Sequence, residues 1–176
     1  ISITSESDSE SVGGIVGEIA RMNKTILVYD CDMTANIDGG SACYVGGIVG
    51  FGPANLQANM VDDVVITGET MVGGIQGATS INDNDIIIDD NDSYADVSGS
   101  ATDSEYIAGI VGYVAYSSCD VTKNYVYGTL TGYKKVGGII GEYLYDKKQK
   151  RIVDNTFMGD ITANSWVGGI VGSVVS

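Results

Sequence analysis

Six near-copies of one hexapeptide run through the chain: Val12 to Gly17, Val45 to Gly50, Val72 to Gly77, Ile107 to Gly112, Val136 to Gly141 and Val167 to Gly172. Their starts lie 33, 27, 35, 29 and 31 residues apart. A period near thirty residues marks a tandem array in which each unit packs only on its neighbours along one axis. A second block recurs between the hexapeptides. Asp154 to Ile161 aligns with Lys123 to Leu130, Asp90 to Val97 and Asp30 to Ile37, whereas the unit that starts at Val45 fits less well, through Val61 to Ile66. Ile66 and Val72, Leu130 and Val136, and Ile161 and Val167 are six positions apart, but Ile37 and Val45 are eight apart and Val97 and Ile107 ten apart. The length changes therefore belong to loops between strands of similar length.

Each unit reads as three short strands: the hexapeptide, a middle run such as Lys24 to Tyr29 or Ile86 to Asp89, and an alternating run such as Phe157 to Ile161. β-Branched residues with Gly, Asn and Asp punctuation favour strand, and no stretch has a helix period. Three strands per coil, stacked, predict an all-β parallel β-helix, a β-solenoid of about six coils. The common hand of parallel crossovers makes it right-handed. Equivalent positions then lie about 4.8 Å apart on successive coils and form ladders. The column Ile15, Ile48, Ile75, Ile110, Ile139 and Ile170 never varies, which predicts a buried ladder. Asn91, Asn124 and Asn155, with Cys31 in the same column, predict a corner where a short polar side chain bonds turn backbone. If the isoleucines face inward, strand alternation turns Val12, Val45, Val72, Ile107, Val136 and Val167 outward, together with Val16, Val49, Val111, Ile140 and Val171. The presence of Gln76 in the second of these columns agrees. Such a stripe would meet a partner, an adjacent domain or a covering loop.

The hexapeptides resemble GLUG repeats, whose pattern is Val-Gly-Gly-Leu-Val-Gly, with Ile here where Leu is usual. The resemblance covers nearly all of residues 12 to 172. It implies a β-solenoid stalk or adhesive segment of large bacterial cell-surface proteins, among them adhesins and the non-catalytic parts of immunoglobulin A peptidases. It carries no chemistry of its own.

With 176 residues, 44% of them hydrophobic, and a single proline, the chain can bury a long thin core as one domain spanning 1 to 176. The sequence starts without Met and begins and ends partway through a repeat, as expected of a processed protein or of a window from a longer array, the second being the simpler expectation. The net charge of −14 speaks against nucleic acid as a partner. No apolar run is long enough to insert in a membrane. Cys31 and Cys119 lie about three coils, roughly 15 Å, apart, too far for a disulfide. Cys31 and Cys43 share a coil and pair only if their corners meet. The plainer expectation is small core cysteines.

Histidine is absent, which excludes Ser-His-Asp, Cys-His and His-Glu-x-x-His chemistry within this chain. Carboxylates alone can serve a glycosidase, yet the acidic residues scatter over turns, so no catalytic residue and no cofactor is expected. The densest acidic group, Asp83, Asp85, Asp89, Asp90 and Asp92, offers the oxygen ligands that calcium wants, without the spacing of an EF-hand or of a calcium-binding β-roll. A solvated polar loop is the simpler expectation.

Charge divides the chain. Residues 1 to 122 hold 19 acidic and 2 basic side chains, whereas residues 123 to 176 hold 4 acidic and 7 basic. The basic half is rich in tyrosine. Tyr116 and Tyr145 share a column, and with Tyr143, Lys134, Lys135, Lys147 and Lys148 they form a candidate patch for acidic glycans or a protein partner. A ladder covering an exposed corner would look the same. Three readings follow: a structural or adhesive segment of a secreted or surface-anchored bacterial protein, meeting a host glycan or surface protein; a non-catalytic module of an extracellular peptidase or glycan-active enzyme; or a filament subunit that self-associates end to end.

Overall fold

The computed structural model describes residues 1–5, 10–20, 25–79, 85–115, 118–144 and 151–175. Every regular element among them is a β-strand, and the strands pair in parallel into five sheets that stack as a β-solenoid of about five turns. Each coil visits five faces in turn. Face 1 runs from Ser11–Gly13 to Ser165–Gly168, and face 2 from Val16–Glu18 to Val171–Val175. Face 3 runs from Ile26–Tyr29 to Ile152–Val153, face 4 from Asp32–Met33 to Thr156–Phe157, and face 5 from Ser2–Thr4 to Asp160–Thr162. The three expected runs are all present, and two of them fold at a bend. The hexapeptide supplies faces 1 and 2, the middle run face 3, and the alternating run faces 4 and 5.

Register follows the repeat. Val12, Val45, Val72, Ile107, Val136 and Val167 pair in one ladder, and Val16, Val49, Gln76, Val111, Ile140 and Val171 in another. At the bend between them the two strands of one hexapeptide meet backbone to backbone. A Cβ on Gly46 would sit 2.0 Å from the Val49 carbonyl oxygen of the same hexapeptide, and one on Gly50 would sit 2.5 Å from that of Gly17 and 2.7 Å from that of Val12, in the neighbouring coil. No side chain fits between the strands, so the glycines turn toward each other and the valines turn away, into the solenoid. A Cβ on Gly47, at the tip, would lie 2.8 Å from Val61 Cγ2 on face 4. The hexapeptide thus folds inward across the core until it touches the far wall.

This geometry overturns the outward apolar stripe. Val45, Val72, Ile107, Val136, Val49, Val111 and Ile140 are all fully buried, and Val45 packs against Gly68 of face 5 and against Gly39 just past the end of that face. Gln76, which pointed to an outward column, is buried too, and its Nε2 donates to the carbonyls of Gly52 at 2.8 Å and Ala78 at 3.1 Å. Alternation fails as a guide because the two-residue bend at Gly-Ile resets its parity. The isoleucines are buried as expected at Ile48, Ile75, Ile110 and Ile139. Ile15 and Ile170, in the outermost hexapeptides, have a neighbouring coil on one side only and stay 48% and 36% exposed.

The corner between faces 3 and 4 holds an asparagine ladder. Asn59 Nδ2 donates to Asn91 Oδ1, Asn91 Nδ2 to Asn124 Oδ1, and Asn124 Nδ2 to Asn155 Oδ1, each at 2.9 Å. Each Oδ1 also accepts the backbone N–H of the residue one coil earlier, with Cys31 at the head donating to Asn59. Every rung is preceded by a left-handed residue, Asp30, Ala58, Asp90, Lys123 or Asp154, with φ between 51° and 57°. The short Asp side chain tolerates this conformation best, and it occupies three of the five places. Asn59 escaped the sequence alignment because its unit carries one extra residue: Val61 and Ile66 are five apart where the paired Ser93 and Val97 are four apart. Cys31 and Cys43 are free thiols and do not pair with each other. Only Cys119 is a core cysteine; Cys43 is exposed, in a loop between faces 5 and 1.

Candidate functional site

Of the patch read from the sequence, Tyr116, Tyr145, Lys147 and Lys148 lie outside the described residues. Tyr143 does not present its ring to solvent. It is 3% exposed, and its hydroxyl donates to the Cys119 carbonyl at 3.1 Å, tying face 2 to face 3. Lys134 and Lys135 stand at the start of face 1, and their charges are matched within the chain. Lys134 pairs with Glu105 one coil earlier, while Lys135 Nζ lies 3.0 Å from Glu142 and 3.4 Å from Glu105. Lys135 Nζ also donates to the Tyr106 hydroxyl at 3.1 Å and sits 4.4 Å from the Tyr106 ring centre and 5.4 Å from that of Trp166. Burial by itself would lower the Lys135 pKa, but the hydrogen bonds to Tyr106 and Glu142 outweigh it and raise the pKa well above the usual lysine range. For Glu105, burial acts to raise the pKa, and the hydrogen bond from Lys134 with the charge of Lys135 overcomes it, leaving the carboxyl below its ordinary value.

These residues belong to a row that closes the outer mouth of the hexapeptide fold. In three of the coils the position just before the hexapeptide meets the position just after it. Tyr44 and Phe51 have ring centres 4.5 Å apart, Tyr106 and Tyr113 5.1 Å, and Lys135 meets Glu142 in the next coil. Met71, Tyr106, Lys135 and Trp166 adopt left-handed backbone there, with φ of 46° to 63°. A cation held between two rings and two carboxylates is a packed lid over the seam, with little charge left to recruit an acidic sugar.

The calcium candidates do not converge among the described residues. Asp83 lies outside them. Asp85 and Asp89 sit on face 3, where Asp89 accepts from the Thr122 hydroxyl and lies 4.0 Å from Lys123 Nζ. Asp90 forms the left-handed corner, and Asp92 is on face 4 with its pKa raised by burial and by Asp90. No group of three His, Cys, Asp or Glu side chains gathers among the described residues in a way that could hold a metal ion.

A different feature brings polar and aromatic groups together. At the corner between faces 4 and 5, Asp62, Tyr94, Tyr127 and Met158 occupy one column on four successive coils. Their spacing is set by hydrogen bonds from Tyr94 N to Val61 O, Tyr127 N to Ser93 O and Met158 N to Val126 O, at 2.8 to 2.9 Å. Across from them stand Asp96, Thr129 and Asp160, the outward positions of face 5, with Asp63 at the end. Ala95, Gly128 and Gly159 lie between the columns. Coil-to-coil contact keeps them small: a Cβ on Gly128 would be 2.2 Å from Ala95 O, and one on Gly159 would be 1.9 Å from Gly128 O. The result is a trough of about 610 Å³ along the solenoid axis, with an aromatic wall and an acidic wall. Behind the aromatic wall, Tyr125 packs on Tyr94 with ring centres 6.1 Å apart and donates its hydroxyl to Met158 Sδ at 3.1 Å. The sequence carried the signal in the aligned blocks Tyr94-Ala-Asp-Val97, Tyr127-Gly-Thr-Leu130 and Met158-Gly-Asp-Ile161. Comparison with known proteins adds no relative: no family model, no curated protein and no solved structure matches the chain.

Proposed function

We propose that the chain is a structural and adhesive repeat segment of a secreted or surface-anchored bacterial protein, acting as a rigid spacer that also offers a binding face and performs no reaction of its own. The observation that carries this reading is the indifference of the ladder to loop length. The nine residues between Val97 and Ile107 leave Val72 paired with Ile107, and the five between Leu130 and Val136 leave Val136 paired with Val167. Insertions go to the periphery while the rise per coil stays constant, as a stalk of defined length requires. The resemblance of the hexapeptides to GLUG repeats supports the same assignment.

Two measurements test it. Duplicating residues 107 to 135 should lengthen the particle by one strand spacing, about 4.8 Å, in small-angle scattering. Displaying the chain on a non-adherent bacterium should raise attachment to mucin-coated glass above that of the undecorated host. Unchanged length would refute the stalk, and unchanged attachment the adhesive role.

A further inference from the structure

We infer that the trough between faces 4 and 5 is a binding site for an extended glycan chain of uncharged or amine-bearing sugars. The inference rests on the adhesive reading above and names its ligand class. It takes the binding role away from the lysines of face 1, whose charges are already paired.

Shape sets the first constraint. From the Asp62 coil to the Met158 coil the trough spans three coil spacings, roughly 15 Å, and it is straight because the register is unbroken. A linear ligand can lie along it and meet the same pair of walls on each coil. Sugar rings in an extended chain advance by nearly one coil spacing each, so successive rings fall opposite Tyr94, Tyr127 and Met158.

Chemistry sets the second. Tyr94 and Tyr127 are 37% and 55% exposed, yet Tyr94 is fixed from behind by Tyr125, so a rigid apolar surface is presented at little cost in side-chain freedom. Such a surface suits the C–H face of a pyranose. The opposite wall carries hydroxyl and carboxylate groups at Asp96, Thr129 and Asp160, and carboxylates accept from sugar O–H groups in charge-assisted bonds. Thr129 N already donates to one oxygen of Asp96 at 2.7 Å, which orients the other.

Charge sets the third. Asp62, Asp63, Asp96 and Asp160 line the trough, and none of its lining residues is basic. Uronic or sulfated sugars would face unmatched carboxylates and are disfavoured. A peptide cannot join as an added strand along the trough, because the strands of faces 4 and 5 inside the array are paired on both sides and within the trough an open edge remains only on the last coil, across its end.

The experiment titrates the purified full chain by calorimetry with chito-oligosaccharides, with their de-N-acetylated counterparts, with oligogalacturonate and with oligolysine. Parent protein should bind one or both of the first two and leave oligogalacturonate unbound. The double substitution Tyr94→Ala, Tyr127→Ala should weaken that binding at least tenfold, while Lys134→Ala leaves it unchanged; a cooperative circular dichroism melt with its midpoint well above the titration temperature shows that the variants are folded. Equal binding by the double variant, a preference for oligogalacturonate, stronger salt-sensitive binding of oligolysine, or no binding of either chito-oligosaccharide form would each overturn the assignment. Mucin attachment by displaying cells separates the two readings. If it persists in the double variant, the chain is adhesive by another face; if the parent itself fails to attach, the adhesive role falls first.

Discussion

Two corners of the coil are built on columns of glycine, and they do opposite things. At the hexapeptide bend, Gly46 and Gly50 allow two strands to touch inside the molecule, and the volume they vacate is filled at once by backbone. At the corner of faces 4 and 5, Gly128 and Gly159 allow successive coils to touch, again with backbone in the volume they vacate, but this seam lies on the outer side of the wall, as the floor of the trough. One residue type seals a seam in the first place and opens a groove in the second. A glycine column reports close backbone approach; which side of the wall it lies on decides whether the consequence is packing or recognition.

The largest effect should come from the sealed corner. Ile110→Asp places an unpaired charge where no water reaches, and it should cost roughly 3–5 kcal/mol, seen as a collapse of the urea midpoint. An unchanged midpoint would mean that the bend is not sealed. Gly159→Ala sharpens the contrast. Gly159 is exposed, and exposed substitutions ordinarily shift stability by about 0.5 kcal/mol or less, but the added methyl would meet Gly128 O, so a loss of about 1–3 kcal/mol is expected. A neutral result in thermal melting would show that the coils can slide apart at the trough.

A smaller effect concerns the lid over the seam. Because the folded-state pKa of Glu105 is lowered, its pairing with Lys134 and Lys135 contributes stability above the ordinary carboxylate pKa, near about 4.3, and that contribution is lost as pH falls through the depressed folded value. Glu105→Gln should therefore be less stable than the parent at pH 7, and the gap should close in strong acid. A gap independent of pH would place the effect in packing instead. The smallest effect belongs to the open corner. Tyr127→Ala should change stability by less than about 1 kcal/mol, because the ring is half in solvent. A larger loss in the same melting experiment would make Tyr127 a structural strut and weaken the comparison.

The hexapeptide spacing, the varying loop lengths and the all-Ile column sufficed to predict a parallel β-solenoid, and the recurrence of Asn91, Asn124 and Asn155 was enough to locate a polar corner. These features are legible because stacking places like residues on like residues, so the ladder is written directly as periodicity. Asn59 was hidden by a single inserted residue, since a column can be read only where the register is known. The candidate site was the least legible: Lys134 and Lys135 looked free because their partners, Glu105 and Glu142, come from other strands.

The sequence alone therefore determined the axis, the period and the identity of the ladders. The tertiary structure decided which way each column faces. Alternation fixes side-chain direction only along a straight strand, and a bend resets it according to which backbones can touch. At Gly46 the limiting atoms include Gly77 N, and at Gly159 they belong to Gly128, in each case from the adjacent coil. The valines turn inward because Gly46 meets Val49 O of its own hexapeptide as well as Gly77 N of the next coil, whereas contacts between residues some thirty positions apart left Tyr94 and Tyr127 beside an open floor, and alternation along the chain carries neither fact.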